Sequence, residues 1–235
     1  MTSLLAWHGC RADGTTRYLK VKEVVGVKTF LVGNVVLCVN ALHGSIRAVD
    51  MLRFSEGLWI KRTLHEGTII HDSDALPARK FGSSERTVVA ESDATQVVVD
   101  WALWCADRAV RIHAVAALRQ AGMNMVAEKL AGLEAITDKK SAHAAVYALN
   151  TVANTAASAA RAAAYAAAYA ADVFTHAAAR ATNATDAAHA AAYAASAASN
   201  TACAAADGTE MSLLNAELER RLLALMGLTE MEVTQ

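Results

Sequence analysis

Ala162-Ala163-Ala164-Tyr165-Ala166-Ala167-Ala168-Tyr169-Ala170-Ala171-Asp172 lies in a run where alanine is the default residue. Over residues 142–206, 35 of 65 positions are alanine and no glycine or proline intervenes. Alanine has the highest helix propensity, so this region predicts helix. The other residues are not scattered. His143, Tyr147, Asn150, Asn154, Ser158, Arg161, Tyr165, Tyr169, Asp172, His176, Arg180 and Asn183 follow one another in steps of three or four, the spacing of one helix face. Bulky and polar groups form a single stripe, and alanine covers most of the rest. That inverts the usual amphipathic pattern. It predicts methyl faces buried against neighbouring helices at short axial separation, held by dispersion contacts over a long interface. The stripe then faces water or a partner. Tyr147, Arg161, Tyr165, Tyr169, Asp172, His176, Arg180 and Tyr193 are its candidate interaction residues, because tyrosine buries area at low entropic cost.

A second stripe, from Asp186 through His189 and Tyr193 to Asp207, is out of phase with the first by about one residue. The slip falls at 182–186, whose capping residues suit a hairpin. Compactness favours two helices there; one unbroken helix would be a rod of roughly 100 Å. Beyond Gly208, residues 210–227 read as an ordinary amphipathic helix, with Leu214, Leu218, Leu222 and Leu225 opposite Glu217, Glu219, Arg220 and Arg221.

Working toward the N-terminus, the pattern changes near residue 92. Residues 92–121 read as a core helix capped by Ser92, with Trp101, Trp104, Cys105, Ala109, Ile112, Ala116 and Arg119 on one face, and 123–134 as a shorter helix. Before residue 92, short apolar runs alternate with turn residues, including the only proline, Pro77. Strands are expected at 18–25, 58–64, 68–70 and 86–90. A hairpin is expected between 29–32 and 35–39, turning on Gly33-Asn34. A short helix is expected at 45–54 and a loop at 72–84. The expected fold class is α+β: a small mixed α/β module over 1–91, then an all-α alanine-rich helical bundle over 92–235, its alanine helices filling 138–207.

Two motifs carry a resemblance. Val36-Leu37-Cys38-Val39-Asn40-Ala41-Leu42-His43-Gly44-Ser45, followed by Ala48-Val49-Asp50-Met51-Leu52 and later by Glu85-Arg86-Thr87-Val88, resembles a domain of unknown function in phage and bacterial proteins. Its pattern is roughly L-C-x-x-G-L-H-A-S. This chain has Ala41 and Gly44 where the pattern has Gly and Ala. Asn215-Ala216-Glu217-Leu218-Glu219-Arg220-Arg221-Leu222 is similar to the helix that closes such proteins after alanine-rich repeats. The resemblance implies a phage or prophage origin and no particular activity.

The formal net charge is −1, so no global field draws the chain to nucleic acid or an anionic membrane. No charge-free run reaches the roughly 18–20 apolar residues that a membrane span needs. The N-terminal Leu4-Leu5-Ala6-Trp7-His8-Gly9-Cys10 lacks the basic and apolar regions of a lipoprotein signal. Four well-separated cysteines read as reduced thiols of a cytoplasmic or virion protein. His8, Cys10, Cys38 and His43 lack standard zinc-ligand spacing, and no metal or other cofactor is expected. His43, Arg47, Asp50 and Arg53 are the candidate ligand-binding residues: three charged groups along one short helix with a histidine before it. The plainer reading is an Arg47–Asp50 ion pair on a solvated face, with His43 bonded across a turn.

The leading functional expectation is a non-enzymatic structural or interaction protein that self-associates or binds a protein partner through its alanine helices. A small-ligand binder or enzyme near His43, Arg47 and Arg53 is the alternative. Ice binding ranks below both, because Thr151, Thr155, Thr175, Thr182, Thr185 and Thr201 keep no regular array.

Overall fold

The structure, a computed structural model, describes residues 3–17, 20–72, 80–153 and 209–229. These divide into two compact units. Residues up to Val97 and from Leu218 onward form one; those from Val98 to 153 and from 209 to Glu217 form the other.

The first unit is built on two long strands, β4 (Trp59–His71) and β5 (Phe81–Asp93), paired antiparallel. β1 (Leu4–Cys10) adds to β4, while β2 (Lys28–Phe30) and β3 (Leu42–Gly44) pair in succession along the other edge of β5. The result is a five-stranded antiparallel sheet. The strands expected at 58–64 and 68–70 are one strand, bent at an irregularity between Glu66 and Ile69. The hairpin expected around Gly33-Asn34 does not form. β2 pairs with β5 instead, Leu31 N–H donating to Ser84 O at 2.8 Å. Asn40 Nδ2 closes the intervening loop on the carbonyls of Val32 and Asn34. Of the strand expected at 18–25, the described residues give only a bridge from Val25 to Val88.

Helix α1 (Ala48–Leu52) buries all five of its residues. With Ala6, Trp7, Leu58, Ile60 and Phe81 it forms an apolar core, to which Leu218, Leu222 and Leu223 also belong. Glu219 ties these elements together, accepting from Trp7 Nε1 at 3.0 Å and from the Ala48 amide at 3.2 Å.

In the second unit, α2 (Thr95–Arg108) runs through a π-helical segment, Ala109–Ala114, into α3 (Val115–Gln120). The residue at the start of α2 whose side chain meets the backbone is Asp93, not Ser92: its Oδ1 accepts from the amide and hydroxyl of Thr95. Trp101, Cys105 and Ala109 are fully buried, as one straight helix face requires. Within and past the π segment the buried positions fall one residue later, at His113 and Ala117, while Ile112 is 46% exposed. Helices α4 (Asn124–Ala131) and α5 (Lys139–Ala153) follow, and α6 (Glu210–Leu225) lies near the C-terminus. Trp101 Nε1 donates to Leu214 O, and Arg108 grips the buried Glu210 carboxylate at 2.7 and 2.8 Å.

The expected fold class is corrected here. A five-stranded antiparallel sheet stands with several helices, and these helices do not make an all-α bundle. The C-terminal leucines explain part of the difference. Leu218, Leu222 and Leu223 complete the core of the sheet-containing unit and are not reserved for alanine helices. Most of the alanine region lies outside the described residues. On its described part, Ala142 and Ala145 are buried, while His143 and Tyr147 are exposed, Tyr147 by 80%. No helix among the described residues is long and apolar enough to cross a membrane.

Candidate functional site

The first unit holds a partly open cavity of about 100 Å³. β1 supplies Trp7, His8 and Gly9 to its wall. β3 and its flanks supply Ala41, Leu42, His43, Gly44 and Ser45. Met51 and Phe54 come from α1 and the turn after it. The Trp7–Ser45 backbone pair, at 2.8 and 2.9 Å, draws β1 and β3 together at this point. Thr16, Arg17, Lys80 and Arg86 complete the lining.

Local sequence makes this close approach possible. A Cβ on Gly44 would lie 2.8 Å from His65 Nε2 and 3.0 Å from both Ala6 Cβ and Phe81 Cζ. A Cβ on Gly82 would come within 2.6 Å of the Ala41 methyl. Gly44 thus leaves room for His65, and Gly82 for the Ala41 methyl.

The lining is cationic. Arg17, Lys80 and Arg86 contribute three positive groups, His8 and His43 two imidazoles, and no Asp or Glu is among the lining residues described. Their counter-charges lie behind the wall. Glu23 accepts from Arg86 Nε and NH2 at 3.0 and 2.6 Å and sits 3.4 Å from Lys61 Nζ. Glu56 pairs with Arg17 at 2.8 Å. Arg86 also donates to the His43 carbonyl at 2.9 Å.

Both imidazoles are held neutral. Burial, then Lys80, Arg86 and Arg17, bring His43 down to about 4. Its Nε2 accepts the Cys38 amide proton at 3.1 Å, so the ring proton sits on Nδ1. Burial, then Arg86, His65, Lys61 and His43, push His8 well below the usual histidine range. Its Nε2 is buried and has no hydrogen-bond partner among the described residues. Such a group in a native fold calls for an explanation, and a bound ligand is one.

The remaining candidates fall elsewhere. Arg47 pairs with Asp50 at 2.7 Å, the i,i+3 pair of the plainer reading, but Asp50 is buried and not on a solvated face. Neither lines the cavity, nor does the exposed Arg53; from this stretch Met51 and Phe54 do. His8, Cys10, Cys38 and His43 are not brought to one point. Among the described residues no three His, Cys, Asp or Glu side chains gather as a metal site. Burial pushes the Cys10 thiol up to about 11. Tyr147 is exposed on α5, and Arg161, Tyr165, Tyr169, Asp172, His176, Arg180 and Tyr193 lie outside the described residues.

Sequence reading missed Arg17, Lys80, Arg86 and Glu23. Arg86 stands within the quoted Glu85-Arg86-Thr87-Val88 motif, where alternation along a strand could have placed it on a buried face. It also missed a buried hydroxyl–imidazole pair, Ser83 Oγ and His65 Nδ1, 2.8 Å apart. This pair is not a nucleophile and its base. Ser83 donates its proton to the Glu85 carbonyl, His65 Nε2 faces Thr63 Oγ1 at 3.0 Å, and neither residue lines the cavity.

In comparisons with known proteins, no family model, curated protein or solved structure matches the chain.

Proposed function

We propose that the first unit binds a small anionic ligand carrying an apolar part, and that the protein works through this binding and not through catalysis. The observation that carries the reading is the cavity lining: three cations and two neutral imidazoles, with no carboxylate among the described wall residues. Trp7, Leu42, Met51 and Phe54 offer an apolar surface, which suits a pocket where a few polar groups fix orientation. At about 100 Å³ the cavity is smaller than the roughly 150 Å³ that takes benzene, so it would enclose part of such a ligand and leave the rest in its open mouth. An anion would meet Lys80 and Arg17 at the wall. A neutral imidazole beside an anion gains basicity, so binding takes up a proton and tightens as pH falls toward the folded His43 value of about 4.

Titration calorimetry with benzoate and phenyl phosphate, against benzyl alcohol and benzylamine, tests the idea. Only the two anions should bind, and Lys80→Ala with Arg17→Ala should weaken them at least tenfold. Equal binding of the neutral or cationic analogue, or no binding of either anion, would refute it.

A further inference from the structure

We infer that the first unit carries a self-complementary edge on which a second copy of this chain docks, strand β2 pairing antiparallel with its own twofold-related image about Thr29.

The segment leading into and out of β2 is unusually apolar for exposed chain. Val24, Val27, Phe30, Val32 and Val39 are 62, 55, 66, 90 and 82% exposed, and Val21, Val25 and Val36 are each about half exposed. Summed over these residues, the exposed apolar area is on the order of 700 Å², against the ~800 Å² each partner gives to a stable interface.

The backbone supplies the register. β2 ends the sheet order, beyond β5. Leu31 N–H points at Ser84 O and Thr29 stands opposite Arg86. Hydrogen-bonding direction alternates along a strand, so Thr29 and Leu31 face β5 while Lys28 and Phe30 present their N–H and C=O outward. A twofold axis at Thr29 sets Lys28 opposite Phe30 of the second copy, and Phe30 opposite its Lys28. Each of these two pairs exchanges two backbone hydrogen bonds, and Thr29 meets Thr29 as the non-hydrogen-bonded pair.

The side chains fit the same axis. Lysine lies across from phenylalanine, where its ammonium can approach the ring face. Val27 lies across from Leu31, and no two like charges are opposed. An isologous contact needs only one such patch per chain. A second copy therefore satisfies every outward group of the edge without a second surface. Lys28 is also anchored at home, 2.7 Å from Glu66 and 3.2 Å from Glu85.

Sedimentation equilibrium of the full chain and of two variants tests this. The wild-type chain should be a dimer at micromolar concentration. Phe30→Lys, which sets lysine against Lys28, should be monomeric. Phe30→Glu, which sets a carboxylate there, should remain dimeric. In a Cys38→Ser background, Thr29→Cys should cross-link to covalent dimer under mild oxidation, because non-hydrogen-bonded partners lie about 4.5 Å apart at Cα; Val27→Cys should not. A monomeric wild type, a Phe30→Lys variant that still dimerises, equal loss in both Phe30 variants, or cross-linking at 27 in place of 29 would overturn the assignment. Circular dichroism of each variant confirms that the sheet is intact, and the cysteine pair reads the register without relying on Phe30.

Discussion

Removing the charge of Glu23 should cost the first unit a large part of its stability. The Glu23 side chain is 4% exposed and faces two cations that are themselves buried, Lys61 at 0% and Arg86 at 3%. In Glu23→Gln the shape is kept but the carboxylate is lost. Lys61 retains Glu91, 3.4 Å away. Among the described residues, Arg86 then keeps the His43 carbonyl as its acceptor. Leaving a buried charge without its partner costs about 3–5 kcal/mol. A domain of ordinary stability has about 5–15 kcal/mol in total. Hydrogen exchange of the β4 and β5 amides reads this unit separately from the second. The slowest of them should exchange some hundredfold faster or more, at about 1.4 kcal/mol per factor of ten. Glu56→Gln is the control: its partners Arg11 and Arg17 are 39 and 49% exposed, and an exposed pair contributes about 0–1 kcal/mol. Replacing Glu23, Lys61 and Arg86 together by leucine and methionines should recover part of the loss, because the three most buried charges go together and Glu91, 17% exposed, is the carboxylate left without its lysine. A Glu23→Gln effect below about 1 kcal/mol would show that water or rearrangement already satisfies these cations, and the account of the cluster would fail.

Two further outcomes follow from the same region. His8, His43 and His65 all have folded values below the ordinary histidine value, chiefly through burial. Below about pH 6.5 the unfolded chain takes up protons that the folded chain refuses, so stability present above that pH is lost as pH falls toward the folded values, about 4 for His43. The loss is at most about 1.4 kcal/mol per pH unit for each histidine, and less for the partly exposed His43. Urea midpoints that stay level from pH 7 to 5 would contradict this. Gly44→Ala should destabilise the unit by about 1–3 kcal/mol through overpacking against His65, Ala6 and Phe81. Urea denaturation would count against that crowding if the variant matched the parent.

Some of this was legible in the residues. The short helix with Arg47 and Asp50, the strands around residues 60 and 88 and the leucine stripe of α6 follow from period alone. His43 drew attention as a histidine before a short helix, and it does line the cavity. The rest depended on partners distant in sequence. Whether residues 28–30 pair with their own loop or with residues 85–87 is decided by the free edge of β5, which no local turn signal encodes. Lys61 and Arg86 look like surface residues of amphipathic strands until Glu23 is seen between them. The leucines of α6 have the right spacing for any apolar neighbour, and spacing does not name one.

The π segment, Ala109–Ala114, gives the long helix of the second unit one residue more than its path needs. Ile112, left half in water, is the visible surplus. A one-residue deletion there would let the chain revert to plain α-helix with Trp101 and Leu118 still in their places. The same deletion at Leu103 would swing everything downstream through about 100°. The helix thus carries its own slack, and length changes are absorbed at one point along it.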